Sequence, residues 1–269
     1  MIIPPMEWPI IRLTHPFHRG HIMNATTDTR IALVTGASRG IGAAIARRLA
    51  RDGFAVAVNY ASSSAEADAL VGELRASGAA ALAVQADVAR AGDVRRMFDA
   101  VEQQLGRVDV LVNNAGILKT GPLADATDDA FERIFDINVR GTFNTLREAA
   151  KRLADGGRVI NFSTTTLALK LPGYGLYNAT KGAVEALSHV FAKELRGRRV
   201  SVNVVAPGPV ATALFLEGKT DEQIRGYAKM PPLERLGEPE DIAGVVSFLA
   251  GPDGGWVNAQ VLRANGGLA

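Results

Sequence analysis

The chain has 269 residues, of which 47% are hydrophobic and 22% charged, and this composition argues against a disordered or fibrous protein. Thirty basic and 28 acidic residues leave a net charge of +2, an excess too small to indicate a nucleic-acid surface. The absence of cysteine excludes disulfides, thiolate metal sites and cysteine nucleophiles, and it fits the cytoplasmic location that we expect. No apolar run approaches the roughly 18 residues of a membrane helix, so no membrane association is expected.

Residues 1–29 differ in composition from the rest of the chain. They contain four prolines and three of the four histidines, His15, His18 and His21. The prolines interrupt the apolar stretch that a secretory signal would need. Histidines three residues apart in a proline-rich segment are weak candidates for metal ligands. We therefore expect a disordered extension that lies outside the fold, and no metal site.

Short apolar runs alternate with longer alanine-rich segments from Arg30 onward. The segments carry apolar residues at helical spacing, and near-continuous apolar runs are typical of strands in a sheet that is covered on both faces. This alternation predicts a single α/β domain over residues 30–269, with a doubly wound parallel sheet of about seven strands and helices on both faces. The runs that predict strands are Ile31–Val34, Phe54–Val58, Ala81–Val84, Val108–Val112, Arg158–Phe162 and Val200–Val205.

The first predicted strand ends in a glycine-rich turn that leads into a helix. Gly36 suits a tight turn, Gly40 a close approach of the backbone to a ligand, and Gly42 close packing of the helix on the strand. The spacing G-x-x-x-G-x-G departs from the general dinucleotide fingerprint, but a helix N-terminus after such a turn is a ready pyrophosphate site. The predicted cofactor contacts in the turn are Gly36, Ser38, Arg39, Gly40, Ile41 and Gly42.

The end of the second predicted strand indicates which dinucleotide binds. An NAD site places an acidic residue there, about 20 residues after the glycines, to bond the ribose 2′-hydroxyl. In this chain the first acidic residue after the second predicted strand is Glu66, which lies beyond the strand end. Arg39 in the glycine turn can face a 2′-phosphate. We therefore predict NADP(H), with Asn59, Tyr60 and either Ser62 or Ser63 at the ribose end of the cofactor.

Tyr177 and Lys181 are four residues apart in a predicted helix and therefore share one of its faces. A nearby ammonium group favours the phenolate, so we expect Lys181 to lower the pKa of Tyr177 towards neutrality. A phenol with such a pKa would be an efficient general acid or base. The alternative is a surface tyrosine that lies beside a lysine.

These motifs occur together with others in a fixed order along the chain. The order is the glycine turn, Asp87-Val88, Asn113-Asn-Ala-Gly116, Asn138, Ser163-Thr164, Tyr177 with Lys181, and Pro207-Gly208. From about residue 30 to residue 269 the chain resembles the classical short-chain dehydrogenase/reductase family. Segments 236–241 and 261–267 are similar to 3-oxoacyl-[acyl-carrier-protein] reductases within that family. The resemblance implies a Rossmann fold and an NADP-dependent oxidoreductase.

The resemblance also implies roles for individual residues. Tyr177 matches the proton donor, Lys181 the residue that bonds the nicotinamide ribose, and Asn138 the residue that holds a relay water. Thr164 stands where the family usually has a serine that orients the substrate carbonyl, and residues 212–230 match a lid over the substrate. The further cofactor contacts that it implies are Asp87, Val88, Asn114, Ala115, Gly116, Pro207, Gly208, Val210 and Thr212.

Two functions remain open at this point. One is NADPH-dependent reduction of a small-molecule carbonyl, of ketone or 3-oxoacyl type, with Tyr177 as general acid. The other is an NADP-binding regulatory protein with little turnover, for which Thr164 is the hint. The resemblance also implies a homodimer or homotetramer, in which the apolar residues of segments 143–153 and 183–195 pair across a two-fold axis.

Overall fold

The computed structural model describes residues 29–269. Apart from Thr29, the predicted N-terminal extension therefore lies outside the described residues, and so do its three histidines. Within this range one sheet of seven parallel strands has the order β3-β2-β1-β4-β5-β6-β7. The strands are β1 (Ile31–Val34), β2 (Ala55–Tyr60), β3 (Ala81–Gln85), β4 (Val110–Asn113), β5 (Arg158–Phe162), β6 (Ser201–Pro207) and β7 (Val261–Ala264). The predicted doubly wound Rossmann fold is confirmed.

Ten α-helices accompany these strands in the described range. They are α1 (Gly40–Arg51), α2 (Ser64–Ala76), α3 (Ala91–Gln104), α4 (Asp128–Phe135), α5 (Gly141–Arg152), α6 (Thr166–Leu169), α7 (Gly175–Glu194), α8 (Ala213–Leu216), α9 (Asp221–Lys229) and α10 (Pro239–Ala250). A π-helical segment, Asp136–Arg140, joins α4 to α5. Among the helices of residues 29–269, none combines the length and the hydropathy needed to cross a bilayer.

The sheet has a hydrophobic core on each face. Helices α1, α2 and α10 cover one core, which includes Ile45 and Leu249, and α3, α5 and α7 cover the other, which includes Phe98 and Phe191. After β1 the chain continues to β2 on one side of the sheet, and after β4 it continues to β5 on the other side. The loops that follow β1 and β4 therefore diverge. A crevice at this point, at the carboxyl ends of the strands, is where ligands bind in open α/β sheets.

The observed strand boundaries differ from the predicted ones where pairing continues beyond an apolar run. Strand β2 extends to Asn59 and Tyr60, which pair with Val84 and Gln85 of β3. Strand β7 was not among the predicted runs, because it lies at the sheet edge and carries the exposed Arg263 in its middle. An edge strand with one polar position lacks the continuous apolar pattern of a buried strand.

Candidate active site and cofactor cleft

The glycine turn after β1 is packed too closely for larger side chains. Gly36 has a φ of +61°, and a Cβ there would lie 2.9 Å from Cα of Ala115. At Gly42 a Cβ would approach the carbonyl oxygen of Gly36 to 2.5 Å and Nδ2 of Asn114 to 2.6 Å. Helix α1 therefore begins directly against the turn, and its free N–H groups face the crevice, as a pyrophosphate site requires.

Polar side chains fix this turn to β4. Nδ2 of Asn114 donates to the carbonyl oxygens of Thr35 and Gly36, both at 2.9 Å. The hydroxyl of Thr35 accepts from the amide of Ala115 at 3.1 Å. The loops after β1 and β4 are thus joined by three hydrogen bonds, and the width of the crevice between them is fixed.

The Asn59 side chain bonds to backbone groups on both sides of the cleft floor. This residue is 1% exposed, and its Oδ1 accepts from the amide of Gly36 at 3.2 Å. Its Nδ2 donates to the carbonyl oxygens of Val84 and Ala86 at 3.2 and 3.1 Å. Asn59 thus ties the glycine turn to β3, and its predicted hydrogen bond to the ribose end of the cofactor stays a prediction.

A cleft along the carboxyl ends of β1, β2 and β4 brings most of the predicted cofactor residues together. Its lining includes Gly36, Ser38, Arg39, Gly40, Ile41, Gly42, Asn59, Tyr60, Ser62, Asp87, Val88, Asn114, Ala115, Gly116 and Thr212. Arg133 and Ile137 also line the cleft, although no sequence motif marked them. The remaining predicted contacts, Pro207, Gly208, Val210, Tyr177 and Lys181, line an adjoining pocket that shares Gly116 and Thr212 with the cleft.

Helix α7 carries Tyr177 and Lys181 one turn apart, next to the carboxyl end of β5. Nζ of Lys181 donates to the carbonyl oxygen of Phe162 at 2.9 Å and lies 5.7 Å from the centre of the Tyr177 ring. The Thr164 hydroxyl lies 3.0 Å from that of Thr166 and accepts from the Thr166 amide at 3.2 Å, and Thr164 lines the same pocket as Tyr177. The neighbouring Ser163 hydroxyl donates to Oε1 of Glu185 at 2.6 Å. The two adjacent hydroxyls therefore have different partners, and that of Ser163 is engaged by helix α7.

Asn138 lies in the π-helical segment, a feature that is frequent at functional sites. Its Oδ1 accepts from the amide of Ile117 at 2.8 Å, and its Nδ2 donates to the hydroxyl of Thr180 at 3.1 Å. A Cβ on Gly116 would lie 3.2 Å from Oδ1 of Asn138 and 3.5 Å from Nζ of Lys181. Asn138 is therefore a close neighbour of Lys181, as predicted, but its amide is engaged by the protein. Its role in holding a water stays a prediction.

The pKa of Tyr177 is shifted in the direction opposite to the predicted one. Burial raises the pKa of Tyr177 to about 12, and the contact with Thr164 opposes this only in part. Burial also lowers the pKa of Lys181 to about 8. The Lys181 ammonium is directed at the Phe162 carbonyl rather than at the phenol, and desolvation outweighs its charge. At neutral pH the Tyr177 phenol therefore keeps its proton.

Aromatic and aliphatic side chains enclose the pocket beside Tyr177. The Phe215 and Tyr227 rings meet edge to face with centres 5.1 Å apart, and the Tyr174 and Tyr177 rings meet similarly at 6.5 Å. Among the described residues that line this pocket, Lys181 is the only one with a charged side chain. The predicted lid segment, residues 212–230, contributes Thr212, Leu214, Phe215, Tyr227 and Met230 to the lining.

Comparison with known proteins identifies the family. A family model described as enoyl-(acyl carrier protein) reductase matches residues 36–269. A short-chain type dehydrogenase/reductase of Picea abies is 44% identical over 248 residues, which are 88% of this chain and 92% of the relative. The chain belongs to the short-chain dehydrogenase/reductase family.

Two further known proteins are similar to the chain over most of its length. The chloroplastic NADPH-dependent aldehyde reductase-like protein of Arabidopsis thaliana is 42% identical over 252 residues, 88% of this chain and 93% of the relative. The crystal structure of a blue fluorescent protein from a metagenomic library, in complex with NADPH, has a TM-score of 0.84 and 44% identity. That match covers 89% of this chain and 98% of the other.

The packing at Gly42 gives a direct test of the turn. We expect Gly42→Ala to destabilise the protein by about 1 to 3 kcal/mol and to weaken dinucleotide binding, because the methyl group would displace the Gly36 carbonyl. Thermal unfolding and a fluorescence titration with NADPH measure the two effects. Gly72→Ala in helix α2 is the matched control, since a Cβ there meets nothing within 4 Å. The Gly72→Ala control should be about 0.5 to 1 kcal/mol more stable than the wild type. A Gly42→Ala variant that is as stable as the wild type would contradict the packing described at Gly42.

Proposed function

We propose that this oxidoreductase reduces the carbonyl group of an uncharged small molecule to an alcohol with NADPH. The observation that carries the proposal is an apolar pocket that is lined by Tyr177, Thr164 and Lys181 and that adjoins the cofactor cleft at Gly116 and Thr212. These three side chains offer a protonated phenol, a hydroxyl and a buried ammonium at one point. The ketone and 3-oxoacyl substrates expected from the sequence both have a carbonyl that such a site would accommodate.

The cofactor is NADP(H), and the cleft fits it. The close packing at Gly36 and Gly42 leaves room for a pyrophosphate next to the N-terminus of α1. Arg39 is the N-cap residue of α1, is exposed and lines the cleft, and no acidic residue stands at the end of β2 to favour a free ribose hydroxyl. When bound, NADPH supplies the hydride. An NADPH complex of a 44% identical protein supports the same choice.

The residues of the chain then have separate tasks. The Thr164 hydroxyl, in the pocket that Tyr177 also lines, orients the carbonyl oxygen of the substrate and stabilises the charge that grows there. Tyr177 gives its proton to that oxygen. Burial keeps the phenol protonated at neutral pH, so the proton that a reduction requires is present on Tyr177. Lys181 holds helix α7 against Phe162 and places its ammonium beside the ring of Tyr177.

We also propose that the chain forms a homodimer or homotetramer through α5 and α7. Leu146, Ala149 and Leu153 are buried in the core of one chain. They account for most of the apolar residues that the sequence analysis noted in segment 143–153. Phe143 on α5 and Val190 on α7 remain 45% and 57% exposed, which leaves an apolar surface for a second copy.

Cofactor preference is tested at Arg39. We expect NADPH to bind at least tenfold more tightly than NADH, a difference of about 1.4 kcal/mol, because the guanidinium can pair with the 2′-phosphate. Arg39→Ala should lose most of this preference by weakening NADPH binding while leaving NADH binding nearly unchanged. Fluorescence titrations with both cofactors measure this, and equal affinities for the wild-type protein would contradict it.

Proton donation is tested at Tyr177. Tyr177→Phe keeps the ring but removes the transferable proton, so NADPH affinity should persist while kcat falls by roughly 10²–10⁴. The readout is NADPH consumption against a panel of ketones, quinones and 3-oxoacyl thioesters. A variant with near-normal turnover on any accepted substrate would rule out Tyr177 as the donor.

The hydroxyl of Thr164 is tested by two substitutions. Thr164→Ala should lower kcat by roughly 10²–10³, the usual cost of removing one donor to a developing oxyanion, and should leave NADPH affinity intact. Thr164→Ser retains the hydroxyl and should keep or raise the rate. Ser163→Ala should cost much less, because the Ser163 hydroxyl faces Glu185. A larger loss from Ser163→Ala than from Thr164→Ala would show that the wrong hydroxyl has been assigned.

A further inference from the structure

Three consecutive residues at the end of β5 each form a hydrogen bond with helix α7, and we call this row of contacts the β5–α7 seam. Asn161 Nδ2 donates to the Ser188 hydroxyl at 2.7 Å, the Phe162 carbonyl accepts from Lys181, and the Ser163 hydroxyl donates to Glu185. The Lys181 contact belongs to the proposed chemistry. The Ser163–Glu185 and Asn161–Ser188 contacts do not, so their contribution needs a separate explanation.

The Ser163–Glu185 contact is the stronger of the two unassigned ones. Its length is 2.6 Å, and a carboxylate acceptor makes a hydrogen bond roughly twice as strong as a neutral one. Ser163 is 3% exposed and Glu185 is half-buried. Within residues 29–269 Glu185 forms no ion pair. The serine hydroxyl is therefore the partner that accounts for a carboxylate at this place.

The position of this bond couples it to the site. Ser163 is covalently adjacent to Thr164, and Glu185 lies one helical turn beyond Lys181. On its other side Ser163 is held to the sheet, since its amide donates to the carbonyl oxygen of Val205 at 2.8 Å. A rigid strand end is thus bonded through one side chain to the helix that carries the proton donor. Any slide or rotation of α7 against β5 would stretch this bond and change the Thr164–Tyr177 distance together.

We propose that Glu185, through its hydrogen bond to Ser163, is a positioning residue that sets the spacing between the Thr164 hydroxyl and the Tyr177 phenol. The inference rests on the proposed function. It goes beyond that function because neither Ser163 nor Glu185 needs to touch substrate or cofactor. Displacements of about 1 Å in a reacting constellation can cost as much as 100-fold in rate, so a bond that fixes this spacing has a measurable effect.

Substitutions at both ends of the bond test the proposal. Glu185→Leu removes the acceptor and should lower kcat about tenfold with unchanged NADPH affinity. We expect a smaller effect than the roughly 100-fold cost of the largest displacements, because only one of the bonds in the seam is lost. Ser163→Ala should give the same fall, and the double variant should be no slower than either single one, because both break one bond. Glu185→Gln retains an acceptor oxygen and should restore the rate to within about twofold. Glu194→Leu, an exposed glutamate on the same helix, is the matched control and should match the wild type.

Two kinetic outcomes would overturn the proposal while leaving the proposed function intact. One is an active Glu185→Leu enzyme with wild-type kcat, and the other is a Glu185→Gln variant as slow as Glu185→Leu. A general loss of fold would appear as a reduced NADPH affinity and a lower Tm, without rescue by glutamine. Crystal structures of the wild type and Glu185→Leu give a readout that does not depend on turnover. We expect the Thr164–Tyr177 separation to widen, and an unchanged separation would refute the proposal even if no substrate were found.

Discussion

The β5–α7 seam is the contact on which the site depends. A strand in the middle of the sheet is rigid, whereas a helix packed on it by apolar side chains alone can shift along its axis. Here the last residues of β5 contact α7 one after another, and each contact is polar and specific. The phenol, the ammonium and the hydroxyl at the site are therefore placed by the same row of bonds that joins helix to strand. Further along the seam the Asn113 side chain donates to Asn161, which extends the row to β4.

The cofactor cleft depends on a second set of polar contacts, between the loops after β1 and β4. Oδ1 of Asn59 accepts from the amide of Gly36, and Nδ2 of Asn114 donates to the carbonyl oxygen of Gly36. These bonds hold the glycine turn from two sides and make it rigid. Rigid donors cost little entropy when an anion binds, which explains why asparagines stand beside the glycines. The cleft and the apolar pocket meet at Gly116, next to Asn138 and Lys181.

Much of this architecture could be predicted from the sequence, because the signals are local. Apolar runs identified six strands, and the spacing of Tyr177 and Lys181 placed them on one helical face. The edge strand β7 lacks that signal, and Glu185 and Arg133 belong to no motif. The raised pKa of Tyr177 and the structural role of Asn59 could not be predicted, since both follow from burial by segments distant in the chain. Helical spacing shows that two side chains are neighbours, but it does not show where their polar ends point.

The central claim is that hydride and proton reach a carbonyl group at the junction of cleft and pocket. The most direct measurement uses NADPH deuterated at C4 of the nicotinamide, in separate preparations labelled on each face, with a panel of ketones and 3-oxoacyl thioesters. Mass spectrometry of the products should find one deuterium on the new carbinol carbon with one of the two preparations, and an equal amount of NADP⁺. Tight binding of NADPH without deuterium transfer to any carbonyl would contradict the account and would identify a cofactor-binding regulatory protein.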